Sequence, residues 1–210
     1  MSVTVIIIAR LSVTDIIGYH RPMVRWEPDS RGRLVEAALV LYGERGFENT
    51  TVEEIAARAG LSERTFFRYF VDKREVLFWG SASLEELLDH AVRDAPMDLS
   101  PMQIVVSALE QTGGLFEERR DGARQRQIVI AANAQLRERE LIKLASLASS
   151  LADALGRRGI AVATANLAAQ AGIAVFRVAF ERWVDEANDL DLAALVRASF
   201  ADLKDVTSGS

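Results

Sequence analysis

The sequence predicts an all-α fold, with a three-helix helix-turn-helix unit followed by a larger helical region. Three observations carry that expectation. From Leu34 onward, apolar residues recur at steps of three and four, the spacing that lines them up on one face of a helix. Between these runs stand helix start and stop signals, among them Thr51 with Glu54, Ser100 with Pro101, Gly60 and Gly159. Half of the 210 residues are hydrophobic, enough to bury a substantial core.

Residues 1–22 depart from the pattern. The β-branched run VTVIII near the start prefers strand, yet nothing obvious is there to pair with it. Arg10 interrupts it, no basic leader precedes it, and the cleavage pattern of a secretory signal is missing. Residues 1–22 are read as an extension outside the working fold. They are either a start-site artefact, disordered in the protein, or a genuine extension that packs on the domain or adds an intermolecular contact. The first domain is expected over 23–71. Ser30 is the expected cap of its first helix, with Arg25, Arg31 and Arg33 ahead of that helix or opening it. Leu34, Ala37, Ala38, Leu41 and Tyr42 form its buried stripe, Gly46 closes it, and Phe47 plugs the small core.

The next stretch has the strongest local grammar. Thr51 and Glu54 form a capping box, in which the hydroxyl serves the N3 backbone N–H and the carboxylate returns to the cap. Val52, Ile55, Ala56 and Ala59 give the short helix one apolar stripe. Gly60 ends it, since glycine enters the left-handed C′ conformation without penalty. Leu61 folds back, and Ser62 caps a second helix over Glu63 to Phe70. Phe66 and Phe70 share its inner side; Arg64, Thr65, Phe67, Arg68 and Tyr69 spread over the rest. Helix, glycine turn and helix make a helix-turn-helix.

The run from Gly46 to Leu77, GFENTTVEEIAARAGLSERTFFRYFVDKREVL, resembles the DNA-binding domain of TetR-family transcriptional regulators. The resemblance rests on the glycine-aromatic pair after the first helix, the Thr-Thr-Val cap, the Ala-x-x-Ala-Gly turn, the aromatic-rich second helix and the lysine that follows. It implies that the second helix reads double-stranded DNA. Direction along that helix turns Arg64, Thr65, Arg68 and Tyr69 toward the groove, where arginine can pair with guanine and a threonine methyl can meet thymine. By resemblance, Phe67 and Tyr69 stand where the family contacts backbone or base edges, and Thr51 and Lys73 where it holds phosphate. Phe67 departs from the family pattern by lacking a hydroxyl. Ser62, at the cap, completes the expected DNA-contacting set. The resemblance also implies that Arg25, Arg31 and Arg33 approach the backbone or minor groove; simple solvation is the competing account. Met23 looks like a natural beginning for a member of this family. The RTFFRYF run is similar to a subgroup that includes the mycofactocin-system regulator.

Beyond Asp72 the sequence predicts a ligand-binding and dimerisation domain over 72–206 and a loose tail at 207–210. A fourth helix is expected from Asp72 to near Pro96, with Gly80 as a place to bend. A fifth starts at Ser100-Pro101 and runs to about Phe116, weakened at Gly113 and Gly114. The sixth is expected from Asp121 to Ala132, the seventh from Asn133 to Arg158, the eighth from Ala163 to Ala187, and the last from Asp189 or Asp191 to Val206. The eighth is apolar on most sides and must be covered on most sides. Val175, Phe180 and Trp183, with Leu192, Leu195 and Phe200 of the last helix, are the expected homodimer contacts. Family resemblance implies a small-molecule effector among helices four to seven. Trp79, Phe116, Ile128, Leu136, Phe176 and Arg177 are the candidate lining, with core packing as the competing account. Arg177 either pairs with Glu181 one turn away or holds the anionic end of a ligand.

Composition narrows the function classes. There is no cysteine and only two histidines, His20 and His90, so no thiolate or histidine-based metal site is expected. No phosphate-binding loop, dinucleotide fingerprint or nucleophile elbow is present, and no cofactor or enzymatic activity is expected. No membrane span is read, and a cytoplasmic location fits. The net charge of −5 argues against indiscriminate DNA binding, leaving a small basic footprint on an acidic body. The expectation is a homodimeric, ligand-responsive repressor of a palindromic operator, its reading helices one DNA turn, about 34 Å, apart. A helical partner-binding dimer without sequence-specific DNA affinity is the competing class.

Overall fold

The computed structural model describes residues 30–185 and 187–209; the extension at 1–22 and Arg25 lie outside them. Among the described residues, nine α-helices and two 3-10 segments follow one another with no strand between them. The first three are α1 (Ser30–Arg45), α2 (Val52–Arg58) and α3 (Glu63–Tyr69). The capping box of Thr51 and Glu54 is in place, and the Ser62 hydroxyl accepts from the Thr65 N–H at the start of α3. Gly60 takes φ +66°, so the turn between α2 and α3 uses the conformation only glycine adopts freely. Ser30 belongs to α1 rather than standing ahead of it.

After α3 come a 3-10 segment (Glu75–Phe78), α4 (Ser81–Asp94), α5 (Pro101–Gly113), a second 3-10 segment (Gly114–Arg119) and α6 (Arg120–Ala132). The chain ends with α7 (Ala134–Arg157), α8 (Val162–Trp183) and α9 (Leu192–Ser208). Two departures from the sequence reading matter. The expected continuous helix from Asp72 is broken: Asp72 Oδ1 accepts from the Arg74 and Glu75 N–H groups, and the chain passes through the 3-10 segment before α4 begins. The expected weakness at Gly113 is instead a close approach, because a Cβ there would lie 3.1 Å from the Ala193 nitrogen. In addition, α8 stops at Trp183 rather than Ala187.

Two apolar cores result. One joins α1, α2 and α3 through Leu34, Leu41, Ile55, Phe66 and Phe70, and continues into Val76, Leu77 and Phe78 of the 3-10 segment. Val129, Ile130 and Leu136, from the corner where α6 meets α7, belong to the same core. The other fills the body between α4, α5, α7, α8 and α9.

Within the body, α8 is 22 residues long and contains an 18-residue stretch of mean hydropathy 1.3, apolar enough by length and composition to cross a membrane, which the sequence reading had not allowed. It packs instead against α5, α7 and α9. Gly172 lets α8 close on α5, since a Cβ there would lie 2.2 Å from Val105 Cγ1. The β-branched Val105 has little rotamer freedom with which to yield. Gly172→Ala should therefore destabilise the body by about 1–3 kcal/mol, read as a lowered thermal midpoint.

Candidate nucleic-acid interface

α3 has a buried back and an exposed front. Phe66 and Phe70 are buried in the first core, where Phe66 meets Phe67 edge-on at 5.5 Å. Arg64, Phe67 and Arg68 are exposed, with Phe67 at 55%, while Thr65 and Tyr69 are half-buried. The Ser62 and Thr65 hydroxyls lie 3.0 Å apart at the N-terminal end of this face. At its other end Arg68 Nη2 donates to the Tyr69 hydroxyl at 2.9 Å. The arrangement places the expected groove-facing residues Arg64, Thr65, Arg68 and Tyr69 on one short helix, with Ser62 as its N-cap. Thr51 lies at the N-terminus of α2, its hydroxyl committed to the capping box.

The cations around α3 fall into two groups. Arg45 pairs with Glu54 at 2.7 Å, Arg58 with Glu44 at 3.6 Å and Arg74 with Asp72 at 2.6 Å. The Thr51 backbone and hydroxyl, ahead of Arg45, hold the Glu54 carboxyl below its ordinary range. The Asp72 carboxyl is likewise held down, by its hydrogen bond from the Arg74 side chain. Arg31, Arg33, Arg64 and Arg68 have no carboxylate partner among the described residues. Arg31 is held in place all the same, its guanidinium 5.0 Å from the Tyr69 ring and 5.3 Å from the Trp79 ring. The sequence reading gave Arg31 no fixed place; the stack attaches it to the C-terminal end of α3.

Lys73 requires a correction. Its ammonium donates to the carbonyls of Phe47 at 2.8 Å, Thr50 at 2.9 Å and Glu48 at 3.2 Å, and sits 4.5 Å from the Phe47 ring. Three donors directed at three carbonyls leave none for phosphate. The lysine clamps the loop between α1 and α2 to the segment after α3. Tyr42 closes the clamp from the other side, its hydroxyl donating to the Lys73 carbonyl at 2.6 Å. Burial, reinforced by nearby Asp72, pushes that phenol well above its ordinary value and keeps it a neutral donor.

The other expected sites are redistributed. Phe116 and Phe176 are buried in the body core, and an aromatic chain runs from Phe176 through Phe180 and Trp183 to Phe116. The indole N–H of Trp183 is buried there without a hydrogen-bond partner. Trp79 and Leu136 pack instead on the first core, whereas Ile128 and Arg177 are exposed. Of the expected dimer contacts, Val175, Phe180, Trp183, Leu192 and Leu195 are buried inside the protomer's own core. Phe200 is half-buried against that core, with the Lys204 ammonium 4.3 Å from its ring. Reading α8 as apolar all round had left its inner and outer faces unresolved.

A seven-residue helix backed by a small aromatic core, fronted by arginines without carboxylate partners among the described residues and joined to a helical body, defines a helix-turn-helix DNA-binding regulator. The model described as bacterial regulatory proteins, tetR family, matches residues 34–78. The model described as the MftR C-terminal domain matches residues 99–208. The chain belongs to the TetR family of transcriptional regulators.

Among relatives, the HTH-type transcriptional regulator TcmR of Streptomyces glaucescens is 34% identical over 85 residues, 40% of this chain and 38% of that protein. The chain thus aligns with little more than a third of that relative's length. Among solved structures, FadR from Bacillus subtilis in complex with stearoyl-CoA superposes with a TM-score of 0.54 at 20% identity. That match covers 80% of this chain and 94% of FadR. The SmeT–triclosan complex gives 0.58 at 19% identity, covering 82% and 90%.

The Lys73 clamp separates a structural role from a phosphate contact. Lys73→Met should lower the stability of the protein by on the order of 2 kcal/mol in chemical denaturation. The dependence of its DNA affinity on salt should stay that of the unaltered protein, because no phosphate contact is lost.

Proposed function

We propose that the protein is a homodimeric repressor that reads an inverted-repeat operator through α3 and is released by a small apolar or amphipathic effector. The observation that carries this reading is the front of α3, where Arg64 and Arg68 lack carboxylate partners among the described residues and flank the exposed Phe67. Arginine matches the acceptor edge of guanine, while Phe67 and the Thr65 methyl suit the thymine methyl. Arg31, stacked on Tyr69, supplies a phosphate contact that sets the register of the helix on the duplex.

A dimer is supported by the outer stripe that α8 and α9 leave uncovered. Leu167 is 73% exposed and Val178 44% exposed, with Ala171 and Ala174 between them on α8. Ala194, Ala198 and Ala201 continue the apolar surface on α9. Small residues let two such helix pairs approach closely, and an isologous pairing yields two reading helices related by a twofold axis.

For the effector, the aromatic chain from Phe176 to Phe116 offers an apolar setting, and the unpartnered Trp183 N–H offers one donor. The fold neighbours that hold stearoyl-CoA and triclosan lend support to a ligand of that character.

Selection of random duplex DNA by the purified protein at near-physiological salt tests the reading, with an enriched inverted repeat as the expected outcome. No enrichment from folded, dimeric protein would overturn it. On the selected sequence, Arg68→Ala and Thr65→Ala should each weaken binding while leaving the dimer intact, the arginine change by about 5- to 150-fold. Unchanged affinity in both would contradict the assignment of the reading face.

A further inference from the structure

The sequence of α6, RDGARQRQIVIAA, looks like a solvated basic helix, but three of its arginines face protein carbonyls. Arg120 Nε donates to the Trp183 carbonyl at 2.8 Å, and its Nη2 donates to the Asn188 carbonyl. Arg124 Nε donates to the Val184 carbonyl at 2.9 Å. The last carbonyls of a helix have no acceptor role within it, so these two arginines cap α8 from outside. Further along, Arg126 Nε donates to the Leu77 carbonyl at 2.5 Å, inside the 3-10 segment that interrupts the link between the DNA-binding helices and the body. Hydrogen bonds within a 3-10 turn are poorer than in an α-helix, and such a stretch often marks a hinge.

The seat of Arg126 is unusually dry. Arg126 and Glu140 of α7 are each 1% exposed and 3.6 Å apart, and the guanidinium lies 5.0 Å from the Phe78 ring. A pair buried this deeply often stabilises less than apolar residues of the same volume would; its best-attested use is to fix register. Around it, Val129, Ile130 and Leu136 supply apolar contact, which has little direction. Other polar ties across this junction, among the described residues, are more exposed. Arg139 and Lys143 of α7 reach Glu75 at 2.6 and 3.2 Å, and Asn133 Nδ2 donates to Glu48 Oε1 at 2.8 Å. Burial raises the Glu75 carboxyl, but the hydrogen bonds from Arg139 and Lys143 outweigh it and leave the group ionised below its ordinary value.

We propose that α6 is a tie between the C-terminal end of α8 and the DNA-binding domain, with Arg126 as the positioning residue that fixes the domain's seat by holding the Leu77 carbonyl. Glu140 keeps Arg126 charged and oriented, and the burial that pulls its pKa down to about 10 leaves it protonated at neutral pH. The consequence for operator reading rests on the dimeric DNA-binding function proposed above; the tie itself does not. With Arg126 in place, the spacing of two reading helices in a dimer is set from α8. Without it, the domain keeps its fold and loses its fixed orientation on the body.

The test uses the full chain, which has no native cysteine to interfere with labelling. Ala57→Cys on α2 and Ala145→Cys on α7, both exposed, carry spin labels in a chain diluted with unlabelled protein. The inter-label distance distribution should be narrow in the otherwise unaltered protein. It should become broad or bimodal in Arg126→Met/Glu140→Leu, a replacement that removes both charges of the pair together. Arg126→Lys is measured beside it, since an ammonium keeps the charge but lacks the fork needed to reach Glu140 and Leu77 together. A distribution as narrow as the parent's in either folded variant would overturn the proposal. On the selected operator, the same variants should lose about three- to tenfold of the parent's preference for the native half-site spacing over one with base pairs inserted. Failure of the unaltered protein to select DNA would count against the operator reading and leave the distance result to decide the tie.

Discussion

A helix of seven residues is far below the roughly 12–15 needed for marginal stability in water, so α3 exists only as part of its surroundings. The architecture of the first domain follows from that constraint. Phe66 and Phe70 turn the back of α3 into a core surface shared with Leu34 and Ile55, and the Ser62 hydroxyl accepts from the Thr65 N–H in its first turn. The clamp of Lys73 and Tyr42 then fixes the loop after α1 relative to the chain leaving α3. Because the buried residues and clamps hold the backbone, the front of the helix is free to present Arg64, Phe67 and Arg68 to solvent.

Charge is handled by the same division of labour. A chain with net charge −5 that binds a polyanion has to place its free cations locally. Arg45, Arg58 and Arg74 are neutralised by neighbours, while Arg31, Arg64 and Arg68, at or beside α3, have no carboxylate partner among the described residues. The exposed pairs contribute little to stability. Their effect is to leave the local positive potential to the cations at and beside α3.

What was legible in the sequence is what local chemistry determines. The capping box at Thr51, the turn at Gly60, the cap at Ser62 and the inward Phe66 and Phe70 each follow from residues within a few positions of one another, and the structure contains all of them. The illegible part depends on what lies across a gap. α8 is apolar almost all round, so its pattern could not say that Val175, Phe180 and Trp183 face inward while Leu167 and Val178 face out. Trp79 and Phe116 look alike as large aromatics near weak points, yet one packs on the DNA-binding core and the other in the body. Lys73 matches a phosphate-holding position, but three carbonyls brought close by the fold claim its ammonium first.

One signal was present and unread. On α6 the buried positions are Ala123, Arg126, Val129 and Ile130, and on α7 the buried positions begin Leu136, Glu140, Leu144 and Leu147. In each helix a charge stands where the three-and-four spacing calls for an apolar residue, and the two charges are of opposite sign. Either one alone reads as an error in the stripe; together, on consecutive helices joined by a single-residue corner at Asn133, they specify a buried pair. Burying that pair costs more desolvation than an apolar contact of the same size, so its value lies in direction, which apolar packing lacks. The 3-10 break at Glu75–Phe78 is where direction is needed, because a continuous helix would have transmitted orientation through its own backbone and this interrupted one does not.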